Sequence, residues 1–289
     1  MNTLEIPDKN IIIEIPSRWD ECSPQDVYFL LEKAFMVIAG KLSVGMFRII
    51  AFQRFTGLKF GMSYRIRQRL GINQKVNSEI ARISKLFCDW IFEEDQDRYH
   101  LTFDSVENYF PEFNGCYGPA DLLSDLTFGE FQEALVLMNE FAESQKSEAP
   151  SNEALHEFIK VLYRPKVKGK RVPMTGYRSK IDFGNIPDWK LNATLMWFTN
   201  CIQAIKEEDL TISGVEVNFS PLFPEEEKSR SKRKGLNLGW NGILLDVAES
   251  GVFGKATEVN ETPLYDILFY LLKKQDDHKQ QMDAINKKK

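Results

Sequence analysis

The sequence predicts a mainly α, multi-helical fold with a few short β-strands, and three observations favour this class. Apolar residues recur at spacings of three and four along most of the chain, which is the period of a helix with one buried face. Several of these segments begin at a capping residue that is followed by proline or by a capping box. The chain has 289 residues, of which 43% are hydrophobic, and this is enough to bury a sizeable core.

The first of the predicted units spans residues 1–95 and is helical with a leading strand. The β-rich run KNIIIEIP predicts that strand. Ser23 and the following proline form a helix start, and apolar residues keep helical spacing after it. Three helices are expected here: Pro24 to about Lys41, Ser43 to Gly57, and Asn73 to Phe92.

The second predicted unit, residues 96–206, is a central helical unit. EEDQDRYHLTF predicts a turn and a short strand, and FPEFNGCYGPA predicts a loop. In LTFGEF, Thr127 and Glu130 stand three apart as a capping box at the start of a broad apolar helix. The segment NEALHEFIKVLY predicts a helix that ends at the Arg164–Pro165 step. A loop is expected over 165–187, followed by a helix in IPDWKLNATLMWFTNCIQAI.

The remaining chain divides into a charged segment and C-terminal helices. Residues 207–235 contain a possible strand, ISGVEVNF, and a charge-sorted run, PEEEKSRSKRKG, which together predict a mobile charged loop. Residues 236–289 predict helices. The last of them is capped by Thr262 and started by Pro263, and its polar second half is expected to project into solvent.

Composition and the absence of known motifs argue against several classes of function. A net charge of −5 gives no general attraction to nucleic acid or to an anionic membrane. The acidic, proline-containing start predicts a cytoplasmic protein. The longest apolar reach, Val27 to Phe55, is interrupted by charged residues that include Glu32, Lys33, Lys41 and Arg48, which argues against a membrane span. The four cysteines form no CxxC pair and predict reduced, partly buried thiols.

The sequence contains no catalytic or metal-binding signature, so we expect a protein that is not an enzyme and uses neither cofactor nor metal. HEFIK resembles the start of a zinc-binding HExxH motif, but Lys160 occupies the place of the second histidine. No P-loop motif occurs. An enzyme whose site is assembled from distant acids and Tyr or Lys residues is kept as an alternative.

The best candidate binding surface is the apolar face of the helix that begins at Thr127. Such a face is typical of a helix packed in a core, but Met and Phe side chains also suit an adaptable groove for a partner helix. The residues predicted to bind another protein are Phe128, Phe131, Leu135 and Met138.

Two basic clusters, RPKVKGKR at 164–171 and KSRSKRK at 228–234, give a second hypothesis, a nucleic-acid-binding accessory protein. Several flexible cations in each cluster could contact phosphates, although both also fit solvated loops. Three glutamates directly precede the second cluster, and neither cluster has the interleaved aromatic residues of a single-strand platform. The candidate residues are Lys166, Lys168, Lys170, Arg171, Lys232, Arg233 and Lys234.

Four segments carry a resemblance to a family: IPSRWDECSPQDV, LTFGEFQEA, LYRP and VFGKATEVNETPLYDILFYL. Their order resembles uncharacterised tail-region proteins of phages and prophages in the Bacteroidetes lineage, which themselves resemble tail assembly chaperones. Cys22 and Ser23 depart from that pattern, in which Leu and Thr are expected. The resemblance implies transient binding of a tape-measure or other tail protein, and it carries over no catalytic residues.

Overall fold

The computed structural model describes residues 1–7, 10–59, 61–62, 64, 66, 73–96, 98–212, 214–223 and 240–286. It confirms the predicted fold class, because the described residues are 57% helical and their strands form small antiparallel sheets. The chain divides into two compact units, Met1–Ser105 and Val106–Lys289. No described helix combines the length and the apolar character needed to cross a membrane.

The first unit contains the predicted strand and the three predicted helices. Ser23 caps the first helix by accepting a hydrogen bond from the Asp26 amide at 3.2 Å, and Ser43 caps the second in the same way. Gly57, in the left-handed region with φ 66°, ends the second helix. The elements are β1 Asn2–Ile6, β2 Ile11–Ile15, α1 Pro24–Ile38, α2 Val44–Thr56, α3 Gln74–Cys88, β3 Phe92–Asp95 and β4 Arg98–Leu101.

The third helix is shorter than predicted. It ends at Cys88, and a 3-10 turn then leads into β3, where Phe92 pairs with Leu101 of β4. Phe92 continues the apolar helical pattern in the sequence, but its ring instead packs edge-on against Phe47, with centroids 5.1 Å apart. The core contact of this aromatic residue is therefore reached from a strand.

The second unit is built from six described helices and two small sets of strands. The helices are α4 Phe128–Ser144, α5 Glu153–Leu162, α6 Asp188–Glu207, α7 Trp240–Glu249, α8 Ala256–Glu261 and α9 Leu264–Asn286. The strands are β5 Glu112–Phe113, β6 Cys116–Tyr117, β7 Arg164–Val167, β8 Lys170–Arg171, β9 Asp209–Ile212 and β10 Val215–Asn218. Strands β5 to β8 form one antiparallel sheet in sequence order.

Two segments predicted as loops contain strands of this sheet. The first folds into the β5–β6 hairpin, and the segment after Arg164 forms β7 and β8. The strands are short, and β6 pairs with β7 across more than forty residues of chain, with Cys116 opposite Pro165. Such pairing leaves no period in the local sequence, and this explains why the loop prediction was wrong at these strands. Residues 172–187 form neither helix nor strand, as predicted.

Burial confirms two further predictions from the sequence. All four cysteines are free and buried. Burial raises the pKa of the Cys22 and Cys88 thiols to about 12. At the other end of the chain, residues 273–286 of α9 are exposed on every face, as expected of a helix whose second half projects into solvent.

Candidate protein-binding groove

Three segments that are far apart in sequence meet at the start of α4, in an arrangement that we call the junction. It consists of Leu126–Phe131, Tyr163–Pro165 and Thr262–Leu264. The Phe128 amide donates to the Thr262 carbonyl, and the Leu264 amide donates to the Leu126 carbonyl, both at 2.9 Å. These bonds form an antiparallel bridge between Thr127 and Pro263, so the first turns of α4 and α9 are fixed to each other.

Glu130 connects the junction to the four-stranded sheet. One carboxylate oxygen completes the predicted capping box by accepting from the Thr127 amide at 3.2 Å. The other accepts from Arg164 Nε at 2.8 Å and from Arg171 Nη2 at 3.1 Å. The side chains of Glu130 and Arg164 are fully buried, and that of Arg171 is 3% exposed. The sequence predicts the capping role of Glu130 but not its ion pairs.

The two arginines are structural residues of the second unit. Arg164 also donates to the carbonyl oxygens of Lys160 and Tyr177, while Arg171 donates twice to that of Leu162. Burial lowers the pKa of the Arg164 guanidinium, and the charge of Glu130 opposes this shift. A phosphate could reach Arg171 only by disrupting this network, which argues against its predicted role in binding nucleic acid.

Gly129 allows a close approach at the junction. A Cβ atom at this position would lie 2.5 Å from Cγ2 of Thr175 and 3.0 Å from Cβ of Asn260. The Thr175 hydroxyl also donates to the Asn260 carbonyl at 3.0 Å. The glycine in LTFGEF is therefore required by packing, since its φ is not in the left-handed region.

Three of the four residues predicted to bind a partner lie in the core. Phe128, Phe131 and Leu135 are buried, and Met138 is half-buried. A partner could contact the first three only if they moved. Their role as partner-binding residues therefore stays a prediction, and in the structure Phe128 and Phe131 share another contact.

That contact is Trp240, the first residue of α7. Its ring packs edge-on against the ring of Phe131, with centroids 5.3 Å apart, and also edge-on against the ring of Phe128, with centroids 6.1 Å apart. The Gln132 side-chain amide donates to the Trp240 carbonyl at 2.8 Å. The apolar face of α4 thus supports the residue that begins α7.

Trp240 lines an open apolar cavity of about 270 Å³, which we call the groove. The rings of Phe223 and Trp240 pack together with centroids 6.2 Å apart. The side-chain amide of Gln275 donates to the Pro221 carbonyl at 2.7 Å. The lining residues come from α7, α9 and the turn after β10: Leu222, Phe223, Trp240, Ile243, Leu268, Leu271 and Gln275. Six of the seven are apolar, so the groove suits hydrocarbon or aromatic side chains.

Sequence reasoning found only part of the groove. It predicted helices over residues 236–289, and these contain the groove residues of α7 and α9. It did not find Leu222 and Phe223, because they precede a charged run that predicts a mobile loop. No local signal links these two residues to a helix that lies some fifty residues later in the chain.

The volume and chemistry of the groove indicate what it can hold. Small-molecule sites usually measure roughly 300–1,000 Å³ and contain a few polar groups that orient the ligand. At about 270 Å³ and with a single amide, the groove fits a few apolar side chains better than a cofactor. Among the described residues, no group of three or more His, Cys, Asp or Glu side chains is placed to hold a metal ion.

The basic residues named as an alternative site lie elsewhere. Lys166 and Lys168 are exposed next to the junction, and Lys170 lies in β8. Lys232, Arg233 and Lys234 lie outside the described residues, so their predicted role is untested.

Comparison with family models, with curated proteins and with solved structures gives no match to this chain.

Proposed function

We propose that this chain is a non-enzymatic assembly protein that binds another virion protein, in the manner of a tail assembly chaperone. The observation that carries the proposal is the groove, an open apolar surface between Trp240 and Leu271. The resemblance of LTFGEF, LYRP and ETPLYD to phage tail-region proteins supports the same function. These three segments meet at the junction, which fixes the start of α9 and so the position of the groove.

The proposed client is an apolar helical segment of a tape-measure or other tail protein. A helix that binds a groove presents apolar side chains at spacings of three and four. Two or three such side chains would fill a cavity of this size and cover Ile243 and Leu271, which are half-buried without a partner. The interaction would take place in the cytoplasm of the host.

Capture of the client by groove variants tests this proposal. The tagged chain is purified from cells that express the tail genes, with and without nuclease, and bound proteins are identified by mass spectrometry. Ile243→Glu and Leu271→Glu each place a charge in the groove and should abolish capture of the client. Leu245→Glu is the matched control, because Leu245 lies on the same helix, is 54% exposed and does not line the groove.

Thermal melts establish that each variant is folded before capture is compared. If a glutamate variant unfolds, Ile243→Ala replaces it and should weaken capture without abolishing it. Equal capture by wild type and by two folded groove variants would contradict the proposal. A partner that is lost on nuclease treatment would instead favour binding of nucleic acid.

A further inference from the structure

The segment RPKVKGKR forms a β-hairpin, although the sequence predicts a loop. Lys168 and Gly169 connect β7 to β8 with φ values of 51° and 82°, as a two-residue type I′ turn requires. Val167 lies opposite Lys170, and Lys166 lies opposite Arg171. The buried arginines at the base bind Glu130, so the hairpin is anchored to the junction.

The hairpin separates its cations into two groups. Arg164 and Arg171 are buried and paired, while the side chains of Lys166 and Lys168 are exposed. Among the described residues, no carboxylate lies within ion-pair distance of either lysine. A third lysine, Lys170, is the first residue of β8. The tip therefore presents positive charge that the described part of the second unit does not neutralise.

The fold also brings aromatic rings to the hairpin, which the sequence alone does not show. Tyr117 lies opposite Arg164 in the neighbouring strand β6, and its ring centroid is 4.0 Å from Nζ of Lys166. Tyr177 is 36% exposed, and its ring lies 5.4 Å from the guanidinium carbon of Arg164. Two partly exposed rings thus lie close to the base of the basic hairpin.

We infer that this hairpin binds a single-stranded nucleic acid, with its lysines on phosphates and Tyr117 and Tyr177 stacking on bases. Cations on a fixed backbone next to accessible aromatic rings are the two features that single-strand binding proteins combine. A bare acidic peptide would use the lysines but would gain nothing from the rings. The chain carries a net charge of −5, so the contact is local and its affinity falls steeply with salt. This inference is independent of the groove.

Fluorescence anisotropy with a 5′-fluorescein-labelled dT12 oligonucleotide tests the lysines, with the full chain titrated at 50 mM and 200 mM salt. The variant Lys166→Gln/Lys168→Asn/Lys170→Gln removes three cations while keeping the turn, since Asn-Gly suits a type I′ turn. We expect its affinity at 50 mM salt to fall tenfold or more, and the log–log salt slope to fall by about 2, at roughly 0.7 per phosphate. Lys85→Gln/Lys146→Gln/Lys279→Gln is the control, because it removes the same charge from exposed positions elsewhere.

Variants of Tyr117 test the stacking. Tyr117→Ala should weaken dT12 binding roughly tenfold, whereas Tyr117→Phe keeps the ring and should bind like wild type. Melting curves identify any loss of folding, which would weaken binding of the client as well as binding of dT12. The inference is overturned if wild type does not bind dT12, or if the scattered control loses as much affinity as the hairpin variant. It is also overturned if duplex DNA or polyglutamate competes as well as dT12, because either result indicates a general polyanion surface.

Discussion

The Glu130 carboxylate and the Arg164 guanidinium form a 2.8 Å ion pair in which both side chains are fully buried. Glu130→Gln keeps the size of the side chain but leaves Arg164 and Arg171 without their counter-charge. Leaving a buried charge unpaired costs about 3–5 kcal/mol, so we expect a loss of this size in the free energy of unfolding. Urea denaturation followed by circular dichroism measures it.

Glu133→Gln is the control for that variant. Glu133 lies on the same helix as Glu130 and pairs with Arg178 at 2.6 Å, but the side chains of Glu133 and Arg178 are both partly exposed. Exposed pairs contribute about 0–1 kcal/mol, so the control should unfold close to wild type. If the two variants lost the same stability, the buried network would not have the importance that its geometry indicates.

Gly129→Ala tests the close approach at the junction. The added Cβ would overlap Cγ2 of Thr175, and overpacking of this kind costs about 1–3 kcal/mol in the free energy of unfolding. Gly45→Ala is the matched control, because Gly45 lies in helix α2 with no atom within 4 Å of the added Cβ. Alanine favours helix, so this control should be neutral or stabilised by up to about 1 kcal/mol.

A double-mutant cycle assigns the cost to the named contact. In a Thr175→Ala background the clashing methyl group is absent, so Gly129→Ala should cost less than it does in wild type. An unchanged cost would place the clash at Asn260, whose Cβ is the next-nearest neighbour in a different residue, at 3.0 Å.

Phe131→Ala and Met138→Ala separate core from surface on the apolar face of α4. Phe131 is 3% exposed and contacts both Phe198 and Trp240, so its removal should cost about 3–5 kcal/mol. Met138 is half-buried, and its truncation should cost clearly less. Thermal and urea unfolding measure both. A larger loss for Met138→Ala would mean that Phe131 is not the main core residue on this face of α4.

The helices could be predicted because each carries its signals within a few residues. The capping box of Thr127 and Glu130 and the cap at Ser23 are local, and both are present in the structure. The partners of Glu130 could not be predicted, since Arg164 and Arg171 lie 34 and 41 residues away. Arg164 even belongs to a cluster whose composition indicates an exposed loop.

The apolar face of α4 shows the same limit for the candidate site. Its pattern predicts burial, but a pattern does not distinguish a side chain in the core from one in a groove. The structure places Phe128 and Phe131 beneath Trp240, so these two predicted binding residues lie one layer below the surface that a partner can reach. Only the contact between two helices more than a hundred residues apart reveals this arrangement.

The buried thiols of the first unit predict a loss of stability at alkaline pH. Burial raises the pKa of Cys88 from 9.0 to about 12, so the folded chain holds the thiol proton more tightly than the unfolded chain. Because the folded pKa is raised, this stability is fully present below pH 9 and is lost as the pH rises from 9 towards 12. The loss reaches about 1.4 kcal/mol per pH unit for each thiol.

Urea unfolding of wild type and of Cys88→Ala at pH 8 and pH 10.5 measures this loss. The slope is the change in the free energy of unfolding with pH, and the difference between the slopes of the two proteins removes the contribution of Lys and Tyr titration. We expect a smaller slope for Cys88→Ala. Equal slopes, or rapid alkylation of the native thiols by iodoacetamide at pH 8, would show that Cys88 is accessible to water.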